Sequence, residues 1–237
     1  MIIRTAVKKM AFGNFVINSM ADLTDAINEF GFLPFFENSI EDFSVEEHIA
    51  PACWWNSKTG AWSAWEWKGS VIRGTGCAYG KFFEKKACYI SREWFADFAN
   101  YRRDGYDFDA RYDDGLAPYR DKQLYDLVES YAPVLSSQLK QLGNYKKGGN
   151  KGFDTGITRL QAQGYVLISD FVYRRDKRGN PYGWGVAEYS TPEVFMGSDF
   201  SDRVYSCSPG ESYEKIVSHL SGLFPRLSAD RIKKFIK

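Results

Sequence analysis

The sequence predicts an α+β protein built of winged helix-turn-helix modules in tandem, with short antiparallel wings. Three observations carry that expectation. Between residues 121 and 190, three amphipathic helical runs are followed by two strand-like runs, and a turn rich in arginine and lysine joins the strands. Helix, helix, helix, strand, basic turn, strand is the order of a winged helix, a fold whose usual ligand is duplex nucleic acid.

Taken in order, residues 122–130 place Leu124, Leu127 and Val128 on one helical face. Residues 133–142 open with Pro133 at a helix-start position and close at Gly143. Residues 153–163 turn Ile157 and Leu160 inward and end at Gly164, and residues 165–173 and 184–190 are the two strands. Upstream, residues 22–30 predict a short helix with Leu23, Ala26, Ile27 and Phe30 on one side and Gly31 as its cap. Ser44, with Glu47 three residues on, carries the capping-box signature of a helix start. Residues 77–83 and 87–91 flank Glu84-Lys85-Lys86 as a hairpin, and a further helix begins over 91–98. Residues 44–91 thus read as a second winged-helix-like unit. Residues 211–221 and 228–237 predict two closing helices, the last ending in cations that suit a helix C-terminus. The expected division is an aromatic-rich N-terminal region over 1–118, a winged helix over 119–195 and a helical extension over 196–237. Phe12, Phe15 and Ile17 belong to a strand or a tail that the pattern does not place.

The chain has 237 residues and 17% aromatics, enough for a sizeable core and against disorder. A formal net charge of +1 excludes a generic polyanion binder, but the charge is unevenly placed. Residues 19–50 hold eight acids and no lysine or arginine, whereas residues 140–178 hold nine bases and three acids. One surface therefore suits phosphates, and an acidic N-terminal face suits a protein partner; ordinary surface variation is the plainer reading. Cys53, Cys77, Cys88 and Cys207 lack a C-x-x-C spacing and read as reduced thiols of a cytoplasmic protein. With only His48 and His219, histidine-rich metal sites and a Ser-His-Asp triad are not expected, and no cofactor is. No apolar run is long enough for a membrane span.

Several groups of residues can carry chemistry. Arg174, Arg175, Lys177 and Arg178 share a turn with Gly179, Asn180 and Pro181, which points to phosphate contact, a soluble hairpin tip being the alternative. The presumed recognition helix offers Thr155, Thr158, Arg159 and Gln161 or Gln163 to base edges, and Lys146, Lys147 and Lys151 precede it beside the backbone. Five aspartates between Asp104 and Asp114 invite a divalent-metal or catalytic reading, with Asp104, Asp107 and Asp109 as the carboxylates of interest. The EF-hand pattern is not met, and the interleaved arginines favour ion pairs and Asx turns. Gln161 and Gln163, two apart at a helix end, can hold a water or a sugar, or be plain polar residues. Trp54, Trp55, Trp62, Trp65 and Trp67 fall within fourteen residues and form either a core seam or a platform for bases.

Some of these stretches resemble a family. Gly31-Phe32-Leu33-Pro34-Phe35-Phe36, Trp65-Glu66-Trp67-Lys68-Gly69, Ala78-Tyr79-Gly80-Lys81-Phe82-Phe83 and Tyr101-Arg102-Arg103-Asp104-Gly105-Tyr106-Asp107-Phe108-Asp109 look like motifs of the bacterial AlkZ-related family. Leu160-Gln161-Ala162-Gln163 and Tyr182-Gly183-Trp184-Gly185 fit it as well. The resemblance implies a remote likeness to the AlkZ/YcaQ-type winged-helix DNA glycosylases, whose Gln-x-Gln spelling Gln161-Ala162-Gln163 shares. The resulting expectation is a protein that binds double-stranded DNA and excises alkylated or bulky bases. Gln161 and Gln163 would stand near the sugar, with Asp104 or Asp107 as an alternative carboxylate. The competing expectations are a non-catalytic protein-interaction module and a metal-dependent hydrolase using residues 104–114.

Overall fold

The computed structural model describes residues 15–54, 63–179 and 181–237. Its first half runs α1 (Met20–Phe30), β1 (Phe32–Pro34), α2 (Val45–His48), α3 (Pro51–Trp54), α4 (Ala64–Thr75), β2 (Ala78–Phe83) and β3 (Lys86–Ile90). Two helices, α5 (Arg92–Arg103) and α6 (Phe108–Asp113), lead to α7 (Tyr119–Tyr131), β4 (Val134–Leu135), α8 (Ser136–Leu142), α9 (Phe153–Ala162), β5 (Leu167–Arg175) and β6 (Pro181–Ser190). The chain closes through α10 (Pro192–Met196), α11 (Ser198–Arg203), α12 (Pro209–Leu223) and α13 (Ala229–Ile236). Residues 1–14, Trp55 and Trp62 of the tryptophan cluster, and Asn180 of the basic turn lie outside the described residues.

Serine hydroxyls set several helix starts by accepting backbone N–H groups that the first turn leaves unpaired. Ser19 accepts from Asp22 N, Ser44 from Glu47 N, Ser208 from Glu211 N and Ser228 from Arg231 N. Ser63 and Glu66 form a full capping box at α4, and Ser208 and Glu211 another at α12. The helix expected over 122–130 is α7, with Leu124 and Val128 buried and Leu127 half-buried. The one expected over 153–163 is α9, with Ile157 and Leu160 inward. The helix expected from Pro133 instead starts at Ser136. Val134 and Leu135 pair with Tyr189 and Glu188 of β6, and this ladder holds their backbone extended.

The architecture is α+β, a single antiparallel sheet in the order β1-β3-β2-β5-β6-β4 with helices against it. The sheet is continuous across the expected boundary at residue 118, through Tyr79 of β2 opposite Ile168 of β5. The order helix, strand, helices, strand, strand occurs twice, from α1 to β3 and from α7 to β6. In each set the last strand lies between the other two, and the sets meet through β2 and β5. Helix α4 of the first set packs on β5 of the second, and α9 of the second packs on β2 of the first.

Side chains alternate across the strands, so the sheet faces two cores. Leu33, Tyr79, Tyr89 and Ile168 join α1, α4, α7 and α9 on one side. Phe32, Ala78, Cys88, Ile90 and Leu167 join α5, α12 and α13 on the other. The two are tied where α5 passes the α9–β5 turn. Gly164 has φ +75°, and a Cβ there would lie 3.0 Å from Ala99 Cα. Backbone sits on the far side of that contact, so neither partner can yield cheaply. Gly164→Ala is expected to destabilise the protein by about 1–3 kcal/mol, read as an earlier urea-unfolding midpoint; an unchanged midpoint would refute the close approach.

Candidate functional site

The β5–β6 hairpin carries the basic turn outward. Arg174, Arg175, Lys177 and Arg178 are all exposed. Asp176 closes the turn: its side chain accepts from Arg178 N at 2.8 Å and its carbonyl from Gly179 N at 3.0 Å. Arg175 donates to Gly179 O at 2.8 Å. The loop before α9 leaves Lys146, Lys147 and Lys151 exposed, the first two beside a shallow groove that Asn150 also lines. Asn150 pins that loop, donating through N to Asn144 O and through Nδ2 to Gly143 O, each at 2.8 Å. On α9 itself Thr155 is exposed and Thr158 half-buried. Arg159 is committed elsewhere. Its guanidinium makes a bidentate pair with the buried Asp121, Nη2 to Oδ1 at 2.7 Å and Nε to Oδ2, and so clamps α9 to α7.

The Tyr101–Asp109 run folds into a structural knot. Arg103 is almost wholly buried and donates to Gly164 O at 2.9 Å and to Glu193 Oε1 at 2.7 Å. Asp104 is the exposed left-handed cap of α5 at φ 53°, and Asp107 caps α6, accepting from Ala110 N at 2.7 Å. Tyr106 O accepts from Tyr165 at 2.9 Å and Tyr205 at 3.0 Å. Asp109 pairs with Lys122 at 3.1 Å. These carboxylates serve as caps and ion pairs, and among the described residues no three His, Cys, Asp or Glu side chains gather as a metal-binding group. Of the acids in residues 19–50, Asp22, Glu46 and Glu47 accept from the backbone of Asn18, Glu37 and Asp42.

Gln161 is buried, 1% exposed. Its Nε2 donates to Ile157 O and its Oε1 accepts from Lys81 N, each at 3.0 Å, so the amide bonds α9 to β2. Gln163 caps the same helix, and its buried Oε1 has no hydrogen-bond partner.

A group that the sequence pattern did not single out lies where α4 meets the hairpin. Gly69 lets α4 approach β5 so closely that a Cβ would sit 3.3 Å from Phe171 N. The preceding Lys68 is thereby laid among rings: Nζ is 4.4 Å from the Trp65 centroid, 4.5 Å from Phe171 and 5.6 Å from Phe35. Lys68 is only 8% exposed and makes no hydrogen bond or ion pair among the described residues. The nearby Asp170 is engaged by Arg73 and by Phe171 N. Burial pushes the Lys68 amine down to about 8, and the Glu66 charge offsets part of that. The exposed Trp184 stands 6.4 Å from Trp65 at the rim. Of the described tryptophans in the cluster, Trp67 is core, whereas Trp54 and Trp65 form the half-buried wall of this seam. The signal in the sequence was Trp65-Glu66-Trp67-Lys68-Gly69, a lysine one helical turn from a tryptophan and beside a glycine.

Two outcomes follow from this geometry. Lys68 falls from the usual 10.5 to about 8 on folding, so the unfolded chain holds the extra proton between those values and stability rises with pH across that window. Below it the charged amine costs folding of the order of 3 kcal/mol. Lys68→Met is therefore expected to melt above the wild type at pH 7, with the gap closing toward pH 10; a gap independent of pH would refute the desolvated amine. Gln161→Leu leaves Lys81 N–H without its acceptor and is expected to cost about 1–3 kcal/mol in urea unfolding. No loss would mean that the amide does not hold the α9–β2 seam.

Among the described residues no helix is long and apolar enough to cross a membrane. No curated protein and no solved structure matches the chain. The family described as AlkZ related matches residues 17–237, from the bridge at Ile17 to the end of the closing helix. On that match, which spans nearly every described element, the chain belongs to the AlkZ-related family.

Proposed function

We propose that this protein binds duplex DNA through two winged helix-turn-helix units, residues 20–90 and 119–190, and cleaves the N-glycosidic bond of alkylated or bulky bases. The observation that carries the reading is the exposed basic hairpin tip, Arg174 to Arg178, standing out from a sheet built by two sets of elements in the same order. A three-stranded sheet with its last strand in the middle, preceded by helices, is the winged-helix arrangement, and the β5–β6 hairpin is then a wing. Arg174, Arg175, Lys177 and Arg178 on the wing, with Lys146, Lys147 and Lys151 in the loop before α9, supply phosphate contacts. The exposed Thr155 and the half-buried Thr158 lie on the helix that enters a groove.

Membership of the AlkZ-related family supports the glycosylase chemistry. An alkylated purine already carries positive charge and departs readily, so the protein's task is to hold the duplex and stabilise an oxocarbenium-like sugar electrostatically. In this reading Gln161, with both amide atoms bonded to backbone, is a positioning residue, and Gln163, Asp104 and Asp107 remain the groups to test at the sugar.

Fluorescence anisotropy with a labelled duplex tests the binding. Wild-type affinity is expected to fall steeply between 50 and 200 mM salt, on the order of tenfold or more, as released counterions require. Arg174→Glu/Arg175→Glu is expected to weaken binding at least tenfold and flatten the salt slope. Equal binding by both proteins would remove the wing from the interface, and no binding at low salt would end the DNA reading.

A further inference from the structure

We propose that Lys68 Nζ is a nucleophile that forms a Schiff base with the C1′ aldehyde of an abasic deoxyribose in DNA, the inference resting on the DNA-lesion reading above. A lysine that merely solvates a helix lies extended in water, and one that stabilises a fold meets a carboxylate or a carbonyl. Lys68 does neither: it is more than nine-tenths buried, retains 8% exposure, and makes no hydrogen bond or ion pair among the described residues. Trp65, Phe171 and Phe35 hold the amine in place by their faces, a contact that offsets only part of the lost hydration. Roughly a tenth of an amine at about 8 is unprotonated at pH 7, against less than a thousandth for an ordinary lysine. Desolvation of this kind is how a lysine becomes reactive toward carbonyls.

The surroundings favour an aldehyde borne on DNA. β5 runs from Phe171, under the amine, directly to Arg174 and Arg175 at the phosphate-binding turn. Trp184, 68% exposed on the strand that follows that turn, stands beside Trp65 and adds an aromatic ring to the rim of the amine's surroundings. In the reaction the Lys68 nitrogen attacks C1′ of the ring-opened sugar, the C–N bond forms, and the carbonyl oxygen leaves as water. Borohydride then delivers hydride to C1′ and fixes the link as a secondary amine.

The experiment incubates the full chain with a labelled duplex containing one abasic site and sodium cyanoborohydride at pH 7, and maps the adduct by peptide mass spectrometry. Binding to the same duplex is followed by anisotropy. In parallel, formaldehyde with cyanoborohydride reports amine reactivity without DNA, Lys68 being expected to label at least tenfold faster than the exposed Lys146. The expected result is a covalent protein–DNA band mapping to Lys68, lost in both Lys68→Met and Lys68→Arg while duplex binding persists. Preferential formaldehyde labelling of Lys68 and tight binding of the abasic duplex, with no adduct at Lys68, would overturn the proposal and leave DNA binding standing. Labelling of Lys68 without any duplex binding would overturn both readings. Lys68 labelling no faster than Lys146 would overturn the nucleophile whatever the DNA does.

Discussion

Everything in this molecule hangs on the junction of β2 with β5. Each three-stranded half on its own would present that strand as an open edge, a row of unpaired N–H and C=O groups that invites wrong partners. Joined, the two edges satisfy each other, and the sheet becomes one body in the order β1-β3-β2-β5-β6-β4. The strand contact itself is short, Tyr79 opposite Ile168. The crossed helices make it firm. Gly69 brings α4 down onto β5, and Gln161 bonds α9 to the Lys81 backbone of β2. Neither half can move away without breaking a helix contact belonging to the other.

That crossing also creates the Lys68 environment. Trp65 and Phe35 come from the first half, Phe171 and Trp184 from the second, and Lys68 lies where they converge. Two opposing effects act on the amine. Loss of hydration disfavours the ammonium, whereas ring faces and the Glu66 carboxylate favour it, and the downward displacement to about 8 shows that desolvation wins. Aspartate 170, the acid on the adjoining strand, does not neutralise the amine because Arg73 takes its Oδ1.

A different economy of charge governs the far side of the second half. The buried Arg103 pairs with Glu193 and the Gly164 carbonyl, and the exposed Arg159 pairs with the buried Asp121. Removing one member of such a pair strands the charge of its buried partner, so these pairs hold elements in register. The aspartates between Asp104 and Asp114 follow suit: Asp107 caps a helix and Asp109 meets Lys122. Among the cations left to solvent are those of the β5–β6 turn and of the loop before α9.

Local physics was legible in the amino acids. The Ser44 cap, Gly31, the amphipathic faces of α7 and α9 and the basic turn between β5 and β6 all rest on near neighbours in the chain, and the pattern located them. The family motifs were legible too. The strand at Val134–Leu135 was not, because its backbone is extended by β6, more than fifty residues away. Nor did the pattern show that Asp121 of α7 holds Arg159, or that the Lys81 backbone of β2 donates to the Gln161 oxygen. Lys68 shows the limit most clearly. Nothing in Trp65-Glu66-Trp67-Lys68-Gly69 itself marks a dehydrated amine, because β5, a hundred residues later, supplies part of its cover. The sequence by itself determined the helices with a clear amphipathic face, the two hairpins and where positive charge gathers. Which polar groups are free, which are paired and which amine is dehydrated was decided by tertiary structure alone, since burial is a property of the packed chain and not of any segment in it.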